Sequence, residues 1–132
     1  LDTSDATQEN ASILKLFPKA GKIRRDLFLS VSCTTLDDWC QENGIDQIDF
    51  LQLDAGGSEY FILQGASRIL QTVQVIHTKT YLCRCWNETK LFQDLSYLLK
   101  KMGFERLSHW YFEKLYGEAM FVRTEIYDAL YR

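Results

Sequence analysis

Residues 48–60 read Ile-Asp-Phe-Leu-Gln-Leu-Asp-Ala-Gly-Gly-Ser-Glu-Tyr, and this stretch restricts the fold more than any other in the chain. Ile48 to Leu53 is apolar on both faces apart from Asp49 and Gln52. That is the pattern of a parallel strand covered on two sides, not the alternation of a half-wetted one. The run stops at Asp54, where Gly56 and Gly57 offer a turn and Ser58 a helix cap. Open α/β sheets bind ligands beyond the carboxyl ends of their strands, so Asp54 stands where a functional carboxylate is expected. The same spelling also serves a plain strand-to-helix turn, with the carboxylate solvated or bonded to backbone amides.

The flanking sequence supplies the alternation such a sheet needs. Leu27 to Cys33 is strand-like, and Thr35 with Asp38 three residues on resembles a cap for a helix over Leu36 to Gln41, closed by Asn43-Gly44. After the glycines, Ile62, Leu63, Ala66, Ile69 and Leu70 recur at helical spacing. Val73 to Tyr81 reads as the next strand. Asn87 is placed to cap a helix whose stripe is Leu91, Leu95, Leu98, Leu99 and Met102 before Gly103 stops it. Phe104 to Phe112 and Ala119 to Thr124 are two further strands. The segment between them, Glu113 to Glu118, is too short for a parallel crossover, so they should pair as an antiparallel hairpin.

The bulk numbers bound the rest. At 132 residues the chain is one domain. It opens at Leu1 and its methionines are Met102 and Met120, so the translation start is expected to lie upstream. No apolar run approaches the roughly 20 residues of a spanning helix. A net charge of −3 gives no reason to expect binding through a phosphate backbone. The basic cluster Lys19, Lys22, Arg24 and Arg25 is read as a solvated loop. Cys33, Cys40, Cys83 and Cys85 are too sparse for a disulfide scaffold, and the histidines His77 and His109 lack zinc-finger spacing, so buried free thiols are expected and no metal. Asn10-Ala11-Ser12 and Asn87-Glu88-Thr89 match the glycosylation pattern, but no secretory signal accompanies them. The expected setting is cytoplasmic, with neither a membrane nor a nucleic-acid partner.

Three segments in order carry a resemblance. Thr34-Thr35-Leu36-Asp37-Asp38-Trp39, then Ile48 to Tyr60, then Leu63-Gln64-Gly65-Ala66 together resemble the FkbM-type methyltransferases. In that family a T-L-D motif precedes a strand reading D-F-L-K-I-D-V-E-G-x-E and a helix carrying V-L-x-G-A. The resemblance covers about residues 28 to 124. It implies a partial class I methyltransferase sheet of the Rossmann-like α/β class, mainly parallel strands with helices and a carboxyl-terminal antiparallel hairpin. On this reading residues 1–27 form an amino-terminal segment, partly irregular, and residues 28–132 the methyltransferase-like half-domain.

Resemblance also implies S-adenosylmethionine as cofactor and methyl transfer, in many members to hydroxyl groups of sugars or natural products. It assigns a catalytic role to Asp54, cofactor contacts to Asp37 and Gly57, and substrate contacts to Glu59 and Lys79, while Trp86 and Asn87 are expected to contact substrate because they follow Cys85 on the loop leaving a strand, at the ligand-binding edge of the sheet. From position alone Glu59 reads first as a favourable first-turn charge, and Trp86 as a packing residue. The sequence departs from the family at Gln52 in place of the strand lysine, at Gly56 in place of the motif glutamate, and at Lys79 where the next strand ends in glutamate. No glycine cluster precedes residue 28, where only Gly21 occurs. The chain by itself is therefore not expected to hold S-adenosylmethionine tightly. A non-catalytic assembly module built on the same fold is the alternative. The Ile48 strand, central in the family, is expected to lack one neighbour and to recruit a second copy or an amino-terminal half, unless Leu27 to Cys33 or Ile13 to Phe17 fills that place.

Overall fold

A computed structural model describes residues 31–85, 88–112 and 114–132, and every structural statement below concerns those residues. Four strands make one sheet: β1 (Phe50–Leu53), β2 (Val75–Tyr81), β3 (Phe104–Phe112) and β4 (Tyr116–Arg123), in the spatial order β1-β2-β4-β3. β1 and β2 run parallel, with Leu53 opposite Thr78. β4 lies antiparallel to both β2 and β3. The expected hairpin is present, and its insertion beside β2 makes two of the three ladders antiparallel, so the described sheet is mixed and not mainly parallel. The strand expected over 27–33 is absent from its described part. Val31 to Cys33 have no regular structure, and residues 27–30 lie outside the described set.

Local chemistry sets the helix ends. The hydroxyl of Thr35 accepts from the Asp38 amide at 3.1 Å and starts α1 (Leu36–Glu42), which ends at Asn43 with Gly44 at φ 65°. α2 (Glu59–Gln64) is shorter than its apolar spacing predicts. It ends at Gly65, and the chain then turns into a 3₁₀ segment, Ile69–Gln71. The turn still buries Ala66, Ile69 and Leu70, so the apolar stripe was a sound guide to burial and a poor one to helix length. α3 (Phe92–Lys101) starts later than expected: Leu91 is its cap, and the Asp94 carboxylate accepts from the Leu91 amide at 3.1 Å. Asn87, the expected cap, is outside the described residues. Gly103 at φ 82° stops α3, and α4 (Thr124–Tyr131) closes the chain.

The core lies on one face of the sheet. Leu53, Ile76, Ala119 and Phe121 meet Leu63, Ile69 and Leu70 from the α2 region and Leu95 and Leu99 from α3. On the opposite face Gln52, His77, Lys79, Glu118 and Met120 are all at least partly exposed. Phe50 is 52% exposed, so β1 lacks the two-sided cover its sequence predicts. Trp110, Tyr111 and Phe112 are exposed at the hairpin tip.

Arg123 ties this assembly together at the end of β4. Its Nε donates to the Val73 carbonyl and its Nη1 to the Met102 carbonyl, both at 2.9 Å, and Nη2 donates to the Leu70 carbonyl. The guanidinium also stacks 4.2 Å from the centre of the Phe104 ring. One planar fork thus caps the ends of the 3₁₀ segment and of α3, a geometry lysine lacks. Arg123→Met should lower stability by about 2–4 kcal/mol, with Arg123→Lys between it and the parent. The check is the urea midpoint at unchanged slope; a loss under about 0.5 kcal/mol would mean that water replaces the fork.

Candidate functional site at the carboxyl ends of β1 and β2

Asp54 follows the last residue of β1, and the parallel register sets it beside Lys79 of β2. Lys79 Nζ donates to Asp54 Oδ1 at 3.1 Å, with the Asp54 side chain 64% exposed. A pair this open to water adds at most about 1 kcal/mol to stability, so its effect is to orient the two groups. Lys79 also lies 5.1 Å from the centre of the Tyr116 ring. The chain leaves Asp54 through Gly56 at φ 58° and Gly57 at φ 97°, both in the left-handed region that glycine enters without steric cost.

Glu59 works from inside the same loop. It is 2% exposed, and its Oε1 accepts from the Ala55 amide at 2.7 Å. Burial pushes its carboxyl above the ordinary glutamate value and the nearby Asp54 adds to this, while its own amide and those of Ala55 and Gly57 oppose it. Tyr81, the last residue of β2, is 4% exposed, and its phenol is raised by burial and then by Glu59 and Asp54. Tyr81 was not singled out from the sequence, where it is one apolar position among several at the end of a strand-like run.

The structure thus brings together Asp54, Gly57, Glu59 and Lys79. Asp37 sits elsewhere. Its two carboxylate oxygens accept from the amides of Arg68 and Ile69, each at 2.8 Å, and from the Ser67 hydroxyl at 3.3 Å. Its own amide donates to the Gly65 carbonyl at 3.0 Å. These bonds hold its carboxyl below the ordinary aspartate value although burial pulls the other way. A Cβ on Gly65 would stand 3.1 Å from Thr35 Cβ, so the first and third motif segments meet across a glycine. Trp86 and Asn87 lie outside the described residues. His77 is half-buried on the open sheet face with Nε2 3.1 Å from Glu118 Oε2. Among the described residues no cluster of three metal-ligating side chains occurs.

The sequence profile described as the Methyltransferase FkbM domain matches residues 9–106, well over half of the chain. The chain belongs to the FkbM methyltransferase family. A 2-O-methyltransferase, NoeI, from Sinorhizobium fredii is 35% identical over 57 residues, which are 43% of this chain and 24% of that relative. The chain therefore aligns with about a quarter of this curated relative's length. No solved structure matches it.

Membership of this family implies S-adenosylmethionine as methyl donor. Asp37, the acid expected to contact it, and Glu59 are both engaged within the fold. The ribose hydroxyls of such a cofactor need a carboxylate with free oxygens. Asp37 spends both oxygens on the turn that follows α2, and Glu59 is buried against the loop amides. The Ala55 amide, which the glycine turn would otherwise offer to a ligand, is taken by Glu59.

Glu59 predicts a pH effect of definite sign. Between the ordinary glutamate value of 4.5 and the raised value in the fold, the folded state binds more protons than the unfolded one, so this group's contribution to stability falls as pH rises. Glu59→Gln keeps an oxygen for the Ala55 amide and removes the titration. Relative to the parent, the glutamine variant should gain stability as pH rises through that window, read from urea midpoints at a series of pH values. Parallel curves would show that Glu59 titrates as it does in the unfolded chain.

Proposed function

We propose that this FkbM domain serves S-adenosylmethionine-dependent O-methyl transfer, with the acceptor hydroxyl of a sugar or similar small molecule presented at the carboxyl ends of β1 and β2. The observation that carries this reading is the Asp54–Lys79 pair at the strand ends, oriented yet open to solvent. A relative that bears the description 2-O-methyltransferase supports the hydroxyl as acceptor.

Methylating a hydroxyl needs the oxygen aligned and its proton removed. Lys79 holds Asp54 through Oδ1, and the solvent-exposed carboxylate is the proton acceptor in this reading. The remaining Lys79 donors suit a second oxygen of a polyhydroxylated acceptor. Glu59 keeps the 54–57 loop in place from below, a positioning role that needs no contact with substrate. The cofactor, when bound, would supply the methyl group.

The test is methyl transfer from S-adenosylmethionine to a panel of sugar hydroxyls, comparing the parent with Asp54→Asn. Turnover should fall by about 100-fold or more, with stability changed by under about 1 kcal/mol. Normal turnover with a lowered melting temperature would make Asp54 a turn residue and end the site assignment.

A second reading, a non-catalytic assembly module, is favoured by a different observation. β1 has a partner on one side only among the described residues, and Phe50 is exposed beside its open edge. Unpaired strand edges pair with other chains, and a two-fold arrangement is the usual closed form. On this reading the chain is a homo-oligomer through β1, and light scattering should give a mass above the monomer at high micromolar concentration. A well-behaved monomer there would count against it, whereas an oligomer without transfer to any acceptor would favour it over the enzyme.

A further inference from the structure

The turn that follows β2 brings two thiols together at the same end of the sheet. Cys83 and Cys85, expected as buried thiols on a strand, lie in an irregular turn, each only half-buried, with their sulfurs 4.0 Å apart. The turn is anchored: the Leu82 amide donates to the Leu115 carbonyl at 2.9 Å, and the Cys83 thiol faces the same carbonyl at 4.0 Å. The other two cysteines differ in kind. Cys40 is fully buried in the core, and Cys33 is exposed on the segment before α1.

We propose that Cys83 and Cys85 are a reversible dithiol site that closes to a disulfide by exchange with low-molecular-weight disulfides. A sulfur contact of this length needs a further approach of about 2 Å to reach bonding distance. An exposed turn permits that approach where a strand within a ladder would not. A ring closed over one intervening residue is strained, and strained, accessible disulfides are the readily reduced ones.

The exchange balances in two steps. The Cys83 thiolate attacks one sulfur of a disulfide such as oxidised glutathione, forming a mixed disulfide and releasing one small thiolate. Cys85 loses its proton to solvent and attacks the Cys83 sulfur, which forms the protein disulfide and expels the second small thiolate. Two protein thiols are oxidised, one small disulfide is reduced to two thiols, and the two released protons go to the departing thiolates. Burial, and then the adjacent Cys83, push the Cys85 thiol up to about 11. Cys85 is therefore protonated at neutral pH, and closure becomes faster as pH rises.

The sequence offers a direct readout, because Arg84 separates the two thiols. Trypsin cuts after Lys79, Arg84 and Lys90, so the closed form appears in non-reducing mass spectra as peptides 80–84 and 85–90 joined by one bond. The full chain, incubated with oxidised glutathione, then alkylated and digested, should give that linked pair and yield the separate alkylated peptides after dithiothreitol. The Cys85→Ser variant should instead stop with glutathione on Cys83. Recovery of both peptides alkylated, of a separate glutathione adduct on each, or of a bond from either to Cys33 or Cys40 would overturn the proposal.

Discussion

The carboxylate of Asp37 is the contact on which the rest of the arrangement depends. It grips the amides of Arg68 and Ile69 and so fixes where the chain turns after α2. That turn directs Ile69 and Leu70 into the core and aims the chain at β2, whose parallel register with β1 then sets Lys79 beside Asp54. Gly65 makes the approach possible, because only a residue without a side chain lets Thr35 come so close. A bonded carboxylate with two charge-strengthened acceptors is a strong local tie, and its loss would leave amides of the turn unsatisfied.

Two further acids, five residues apart, divide the labour at the strand ends. Asp54 faces water and meets a lysine, while Glu59 faces inward and meets backbone amides. The difference in environment separates their chemistry: the buried one resists ionisation, and the exposed one is left available to a ligand. Lys79 reverses the sign found at that place in the family pattern. In this chain the reversal is matched locally, since the ammonium is met by Asp54 and lies near the Tyr116 ring. Gly56 likewise sits at a positive φ where the family's glutamate would be strained.

The sheet is finished on one face and open on the other. Arg123 closes the finished side by binding three carbonyls at once, which joins the 3₁₀ segment, α3 and β4 into one unit. Across the sheet, His77 and Glu118 pair in a half-exposed setting and Phe50 stands beside the free edge of β1. The apolar character of β1 on both faces is thus only half used by the described residues, and this unspent surface is what motivates the assembly reading.

Much of the fold could be read directly. The Thr35 cap, the end of α1 at Asn43-Gly44, the burial of Leu95 and Leu99 and the antiparallel hairpin all follow from local rules of capping, periodicity and loop length. The order of motif segments also placed the chain in its family, because those residues are contiguous and keep their spacing. Sequence could not settle which acids were free. Asp37, Asp54 and Glu59 look alike as letters, and only the tertiary structure decided that the first is consumed by a distant turn, the second left open beside Lys79 and the third buried under the loop. The physical reason is that a carboxylate's role depends on the donors it meets and the water it loses, and both come from residues brought near by folding, in the case of Asp37 from across some thirty positions of chain.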